Sequence, residues 1–322
     1  MKPARRDLEA ALLGSLWAVS AFALLGAAAA VAFGLVPACL FARWTRQDRH
    51  LPARSVLHVF FYGGLMLGVL PVVVQTLGGG GWRPMSLGAS WATKLAWQLL
   101  MLPGVLLLTA VQEFTVGGHG TPMPGDAPRR LVTTGVYAYV ANPMQLGKFG
   151  LLATWGLLWQ SPWVVAAAFV GLAYSLSVAC HREDRDLAAR FGESWSSYRR
   201  SVRRWWPRWR PHHDPRRPAA RVWLDSTCGP CAQLGLWLSA RGIVGLVLVP
   251  AGVEARRMSY DPGDGGPPAE GIVALARALE HVHLGWAFLG WAIRLPLVAP
   301  VAQLVADAIG AEARVACPAH AR

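Results

Sequence analysis

Two groups of residues in this 322-residue chain have types and spacing suited to chemistry. The first is Cys228-Gly229-Pro230-Cys231. Arg221 to Leu224 ahead of it reads as a short strand, and the apolar-periodic run Ala232 to Ala240 behind it reads as a helix. A C-x-x-C at such a junction suits thiol–disulfide exchange, because the helix N-terminus stabilises the thiolate of its first Cys and lowers its pKa. A zinc half-site and an inert buried pair are the competing readings. His281 and His283, two residues apart, would point away from each other on a helix and so would not complete a zinc site together.

The second group is split between two segments. Gly118 to Gly147 is polar, punctuated by Gly and Pro, and contains Asn142-Pro143. Downstream, Glu183, Asp184 and Asp186 precede a dense group of Arg. Taken singly these are bland: Asn-Pro starts a helix, and the acids serve as solvated partners for Arg. Asp186 is assigned wholly to that role.

The elements around these residues are those of a membrane protein. AVILMFWYC residues make up 54% of the chain against 15% charged, which excludes disorder and disfavours an ordinary soluble enzyme. The net charge of +13 is unevenly spread. Residues 1–180 carry 12 basic and 5 acidic groups, residues 181–217 carry 11 and 5, and residues 218–322 carry 8 of each. Basic residues beside apolar runs mark the flanks of membrane helices and not a nucleic-acid surface.

Run lengths give about five spans, with four as the alternative. They are Leu8 to Phe41, Ser55 to Leu77, Ala89 to Val111 with Pro103 inside it, and two helices within residues 147–181 divided at Ser161-Pro162. Arg43, Arg46, Arg49 and Arg54, then Arg129 and Arg130, then the Arg-rich segment after the last span all fall on one side under this count. The positive-inside rule makes that side cytosolic, with Lys2, Arg5 and Arg6 dissenting. The Trp205-Trp206-Pro207-Arg208-Trp209-Arg210 run reads as an interfacial belt whose Arg attract anionic lipid. Cys39 and Cys180 read as small packing residues.

The polar segments carry Gly120-Thr121-Pro122, Leu131-Val132, Gly135-Val136-Tyr137, Asn142-Pro143 and Gly147, then Glu183-Asp184, Leu187, Phe191-Gly192 and Tyr198. In these motifs the chain resembles the isoprenylcysteine carboxyl methyltransferase and phospholipid methyltransferase family over about residues 50–210. The resemblance implies a cytosol-facing S-adenosylmethionine site, and by it the cofactor role falls on Tyr137, Asn142, Pro143, Gly147, Glu183, Asp184 and Tyr198. It also implies a lipophilic or lipidated methyl acceptor, with membrane lipids as neighbours; the charge distribution leaves no nucleic acid as partner. Ala141, Gln145, Trp195 and Arg203 depart from the family's pattern, so the acceptor does not carry over.

Pro211 to Pro218 reads as a linker, and the sequence changes character after it. Val244 to Val249 supplies a strand, Met258 to Tyr260 part of another, and Gly271 to Glu280 a helix. Residues 220–315 resemble the DCC-type thiol-disulfide oxidoreductases, which are thioredoxin-like. The resemblance makes Cys228 the attacking thiol and Cys231 the resolving thiol, and implies a thiol–disulfide exchange partner. Two apolar stretches within Leu284 to Ile309, each below spanning length, are expected to pack on this module or lie at the membrane.

The expected architecture is an α-helical integral membrane domain plus a small α/β thioredoxin-like domain. Its parts are a multi-pass membrane domain (1–210), a linker (211–219) and a cytosolic C-terminal domain (220–322). The leading reading is an S-adenosylmethionine-dependent membrane methyltransferase fused to a redox module. The rivals are a thiol oxidoreductase on a non-catalytic anchor and a scaffold with neither activity.

Overall fold

The computed structural model describes Leu16 and residues 34–80, 91–122, 126–225, 229–251 and 257–311. The span expected from Leu8 to Phe41 therefore lies mostly outside the described residues. So does Cys228.

The chain divides into two compact units. The first comprises residues 1–107, 111–132 and 144–192, and the second residues 108–110, 133–143 and 193–322.

In the first unit, α1 (Val36–Gln47) leads into α2 (Leu51–Gly64), a π-helical turn (Leu65–Val69) and α3 (Leu70–Leu77). Together Leu51–Leu77 forms one apolar rod of 27 residues, long enough to cross a bilayer core of ~30 Å at 1.5 Å per residue. α4 (Trp91–Val116) runs through Pro103 and supplies a second candidate span, Trp97–Val116. α5 (Pro143–Leu158) has 16 residues and begins on the motif proline, whose fixed φ suits the first helical turn. Ser161 caps α6 (Pro162–Tyr174) by accepting from the Val164 amide at 3.2 Å. After a π turn (Ser175–Ala179), α7 (Cys180–Ser201) continues at a 43° bend. Among the described residues two helices are long and apolar enough to span, or four if each bent pair counts once.

Helices in hydrocarbon gain little from apolar burial and associate through close packing at small residues. The first unit does this twice. A Cβ on Gly147 would lie 2.8 Å from the Leu107 backbone nitrogen, and one on Gly156 would lie 2.8 Å from the Val165 nitrogen. α4 meets α5 at the first site, and α5 meets α6 at the second. Leu152, Val164 and Ala168 form a buried cluster beside the second site.

In the second unit, β1 (Ala220–Leu224), α8 (Gly229–Ser239) and β2 (Leu246–Pro250) make a parallel β-α-β unit. β3 (Ser259–Asp261) pairs antiparallel with β1, and β4 (Ala269–Glu270) antiparallel with β3, giving the order β2-β1-β3-β4. α9 (Gly271–Leu279), α10 (Leu284–Ile293) and α11 (Val298–Ala306) follow, with a π turn at Asp307–Ala311. Val222, Leu238, Tyr260, Ala274, Ala278 and Val282 form the core. The strands and helices expected around Arg221–Leu224, Ala232–Ala240, Val244–Val249, Met258–Tyr260 and Gly271–Glu280 are present, each shifted by a few residues at most.

Candidate functional site

In the second unit, residues 133–143 are held by backbone bonds to the basic, Trp-rich segment. Gly135 opens a single 3-10 turn (Gly135–Ala138) at φ 59°, a conformation that favours glycine. The Ala141 and Asn142 amides then donate to the Arg203 and Arg204 carbonyls at 3.0 and 3.2 Å. The Arg208 and His212 amides donate back to the Tyr139 and Ala138 carbonyls at 2.9 and 2.8 Å. Side chains add to this hold. The buried Tyr198 hydroxyl donates to the Tyr137 carbonyl, and the Tyr139 hydroxyl to the Glu280 carbonyl, both at 2.8 Å.

Tyr137, Asn142, Pro143 and Tyr198 are thus brought together, and all but Pro143 touch the network just described. Asn142 is almost fully buried. Tyr198 commits its hydroxyl to a carbonyl and packs against Trp195 and His212, so its place is to position the Tyr137 turn. Burial, reinforced by the Glu280 carboxylate, pushes the Tyr139 hydroxyl well above the ordinary phenol range, leaving it a permanent donor.

The remaining candidates belong to the first unit. Gly147 is a packing glycine, filled by the approach of Leu107. Glu183, exposed, and Asp184, half-buried, lie in the first two turns of α7, which continues from the π turn. Glu183 acts electrostatically on Lys148, one residue after Gly147. Asp186 pairs with Arg190 at 3.3 Å, as expected of a solvated partner. Gly192 breaks α7 at φ 52°, ψ −123°, so the Phe191-Gly192 motif marks a kink that a β-carbon would oppose.

Two groups escaped the reading from sequence. The first is an ion network inside the first unit. Arg54, expected as a cation flanking a span, is buried at 1% exposure, and its guanidinium donates to Asp126 at 2.9 Å and Asp48 at 3.1 Å. Thr121 donates its hydroxyl to the same Asp126 carboxylate at 3.0 Å and its amide to the Asp126 carbonyl at 2.9 Å. Arg129 pairs with Asp48 and, with Arg54, holds that carboxyl below the usual carboxylate range. Thr121 belongs to the Gly-Thr-Pro motif, so this network fixes the start of the polar loop. A lone Arg after a basic run gives no sign of a partner 72 residues away.

The second concerns the Arg of the Trp-rich run, expected to attract lipid. Arg210 donates to the Arg241, Gly242 and Val282 carbonyls at 2.8–3.0 Å, and Arg208 to the Ser201 carbonyl at 2.8 Å. Trp206 and Trp209 remain exposed, with Trp209 stacked on His283 at 4.5 Å. Cys180 is buried as expected, whereas Cys39 is exposed on α1.

On the sheet, Asp225 directly follows β1 and Cys231 is the third residue of α8, half-buried. His281 is held by the Val244 carbonyl and the Tyr260 hydroxyl, at 2.7 and 3.0 Å from its two ring nitrogens. Among the described residues no group of three or more His, Cys, Asp or Glu could hold a metal ion.

The donors assigned to S-adenosylmethionine suit its chemistry. Carboxylates can balance a sulfonium or ammonium and accept from ribose hydroxyls, and an amide can both donate and accept. Neither a curated protein nor a solved structure matches the chain. Residues 89–194 match the family model for phospholipid methyltransferase, which covers the polar loop, Asn142-Pro143 and the opening of α7 and supports a membrane methyltransferase in this region.

Proposed function

We propose that the protein is an integral membrane methyltransferase that uses S-adenosylmethionine to methylate a lipophilic or lipidated acceptor. The family match over residues 89–194 carries this reading. The cofactor supplies an electrophilic methyl group on a sulfonium, which leaves as a neutral thioether. No protein nucleophile is then required, and the residues act by positioning and electrostatics. We assign cofactor contact to Tyr137, Asn142, Glu183 and Asp184, with Pro143, Gly147 and Tyr198 shaping the backbone that presents them. Apolar helices give a lipid-borne acceptor its route from the bilayer, and the basic flanks favour cytosolic motifs and a cytosolic C-terminal domain.

Calorimetric titration of the detergent-purified protein tests this. Saturable S-adenosylmethionine binding is expected, weakened at least about tenfold, equivalent to ~1.4 kcal/mol, in Asn142→Ala and in Glu183→Gln. Absence of binding by folded wild type would reject it.

A second activity, thiol–disulfide exchange, is favoured by one observation: the β1-α8-β2 unit sets Cys231 in the first turn of a helix that follows a parallel strand. The Cys228 thiolate attacks a partner disulfide, forming a mixed disulfide and releasing one partner thiolate. Cys231, once deprotonated, displaces the second partner thiol and closes the Cys228–Cys231 disulfide, so two electrons pass to the partner. Cys228→Ser should abolish disulfide reduction without affecting membrane insertion. Unchanged turnover would reject this activity. Redox cycling in a protein that binds no S-adenosylmethionine would instead identify an oxidoreductase on a repurposed anchor.

A further inference from the structure

The helix α11 is built the wrong way round for a protein surrounded by water. Ala299, Ala302, Gln303, Ala306 and Asp307 turn toward the second unit, while Leu297, Val301, Leu304, Val305 and Ile309 turn outward. Leu304 is 69% exposed and Ile309 80%. A surface helix of a soluble domain does the opposite, burying its large apolar residues and exposing its polar ones.

The inward polar groups all have partners. Gln303 accepts from the Ile272 amide at 2.8 Å, satisfying a donor at the start of α9, and donates to Asp307 at 2.7 Å. Arg257 forks onto both Asp307 oxygens at 2.5 and 3.1 Å. The stretch Leu284 to Ile309 holds only two charged residues, Arg294 and Asp307. Arg294 is buried against Glu280, so both charges are neutralised by the domain.

We propose that the outward face of α11 is embedded in the bilayer, so that the second unit makes a membrane contact of its own. Charge decides the occupant. A contact between soluble surfaces has a polar rim, whereas the exposed positions among the described residues 297–309 are all apolar, and a bilayer is always at hand for a chain that carries spans of its own. Length decides the mode. α11 and its π turn comprise 14 residues, about 21 Å of helix, short of the ~30 Å hydrocarbon core. One side is pinned to the domain, and the helix meets α10 at 98°, so it lies in the membrane plane and does not cross.

The test uses the full-length protein in phosphatidylcholine–phosphatidylglycerol vesicles, with a benzophenone amino acid replacing Leu304 and, separately, Val301. The control carries the probe at Arg216, an exposed position in the same unit. After irradiation, intact-mass spectra should show phospholipid adducts at 304 and 301 exceeding those at 216 by about tenfold, the ratio a ~1.4 kcal/mol preference produces. Dimeric cross-links in place of lipid adducts would overturn the proposal in favour of a second copy. No adduct of either kind would overturn it in favour of a water-facing helix.

Discussion

The two units differ in what they bury and what they expose. In the first, charge and hydroxyl groups are buried alongside small apolar clusters, and many large apolar groups are outside. Arg54, Thr121 and Asp126 are buried, as are Ser55 and Thr115, whose hydroxyls lie 2.7 Å apart, while Phe60, Val73, Leu77, Met101 and Leu102 are exposed. In the second, Val222, Leu238 and Ala274 are buried beneath a sheet, and the exposed positions include Arg216 and Arg221. Outward apolar groups on helices long enough to span suit hydrocarbon, and an apolar core beside exposed Arg suits water. α11 belongs by sequence to the second unit and by burial pattern to the first, which is why its outer face stands out.

The largest effect expected from this contrast is in the first unit. Arg54→Ala leaves Asp126 buried without its cation, and breaking a buried pair this way costs ~3–5 kcal/mol. The apparent melting temperature in detergent should fall accordingly. Arg54→Leu combined with Asp126→Leu should recover much of the loss, because no buried charge then lacks a partner. A double variant as unstable as the single one would mean that the network does more than cancel charge.

Truncation of a leucine should separate the units cleanly. Leu238→Ala, inside the sheet's core, is expected to cost ~2–5 kcal/mol. Leu102→Ala, exposed on α4, should change detergent stability by about 0.5 kcal/mol or less. Equal losses would erase the distinction between the two surfaces.

The second unit should also carry an acid-sensitive point. His281 donates from one ring nitrogen to the Val244 carbonyl and accepts from the Tyr260 hydroxyl at the other, the neutral arrangement. Burial lowers its pKa to about 4 from an ordinary 6.5, with Arg277 and His213 acting in the same direction and the Val244 bond opposing. The unfolded chain therefore takes up this proton more readily than the folded one. Stability is highest above pH 6.5 and falls as the pH drops toward 4, by at most ~3 kcal/mol. Hydrogen exchange across Val244 to Tyr260 should accelerate over that window in wild type and respond less in His281→Gln.

Glycine contacts give a smaller effect in both units. A Cβ on Gly290 would lie 2.3 Å from the Ala276 carbonyl oxygen, and one on Gly147 2.9 Å from the Leu107 Cα. Both neighbours are backbone, so Gly290→Ala and Gly147→Ala should each destabilise by ~1–3 kcal/mol. If Gly147→Ala weakened S-adenosylmethionine binding without lowering stability, a direct cofactor role would be favoured over packing.

What the sequence reveals follows from the physics of each feature. Run length and hydropathy identify the span Ser55 to Leu77, which the structure begins at Leu51, and the break at Ser161-Pro162, because a bilayer imposes a minimum length and proline a break. The C-x-x-C, the short run ahead of it and the apolar periodicity behind it identify β1 and α8. The ion network was not legible, since Arg54 and Asp126 are far apart in the chain and each has an ordinary role where it stands. Nor was the hold on the Asn142 segment, which uses backbone amides of Ala141, Asn142, Arg208 and His212 that carry no side-chain signature. The polarity of α11 is visible as a pattern, but which face turns inward depends on Arg257 and on Ile272, supplied by other elements.

A loss of one hydrogen bond is expected at Tyr139, which ties the Asn142 segment to the C-terminal helices by one hydroxyl and one ring. Tyr139→Phe removes the bond to the Glu280 carbonyl but keeps the edge contact with Trp291, whose ring centroid is 5.5 Å away. A net loss of ~1 kcal/mol is expected, because the abandoned carbonyl is buried and the ring still fills its place. Tyr139→Ala removes both and should cost ~3–5 kcal/mol, with faster hydrogen exchange across residues 135–142. Should Tyr139→Phe match Tyr139→Ala, the hydroxyl alone would hold the segment. The second unit would then resemble the first, in which buried polar bonds fix the motif residues in place.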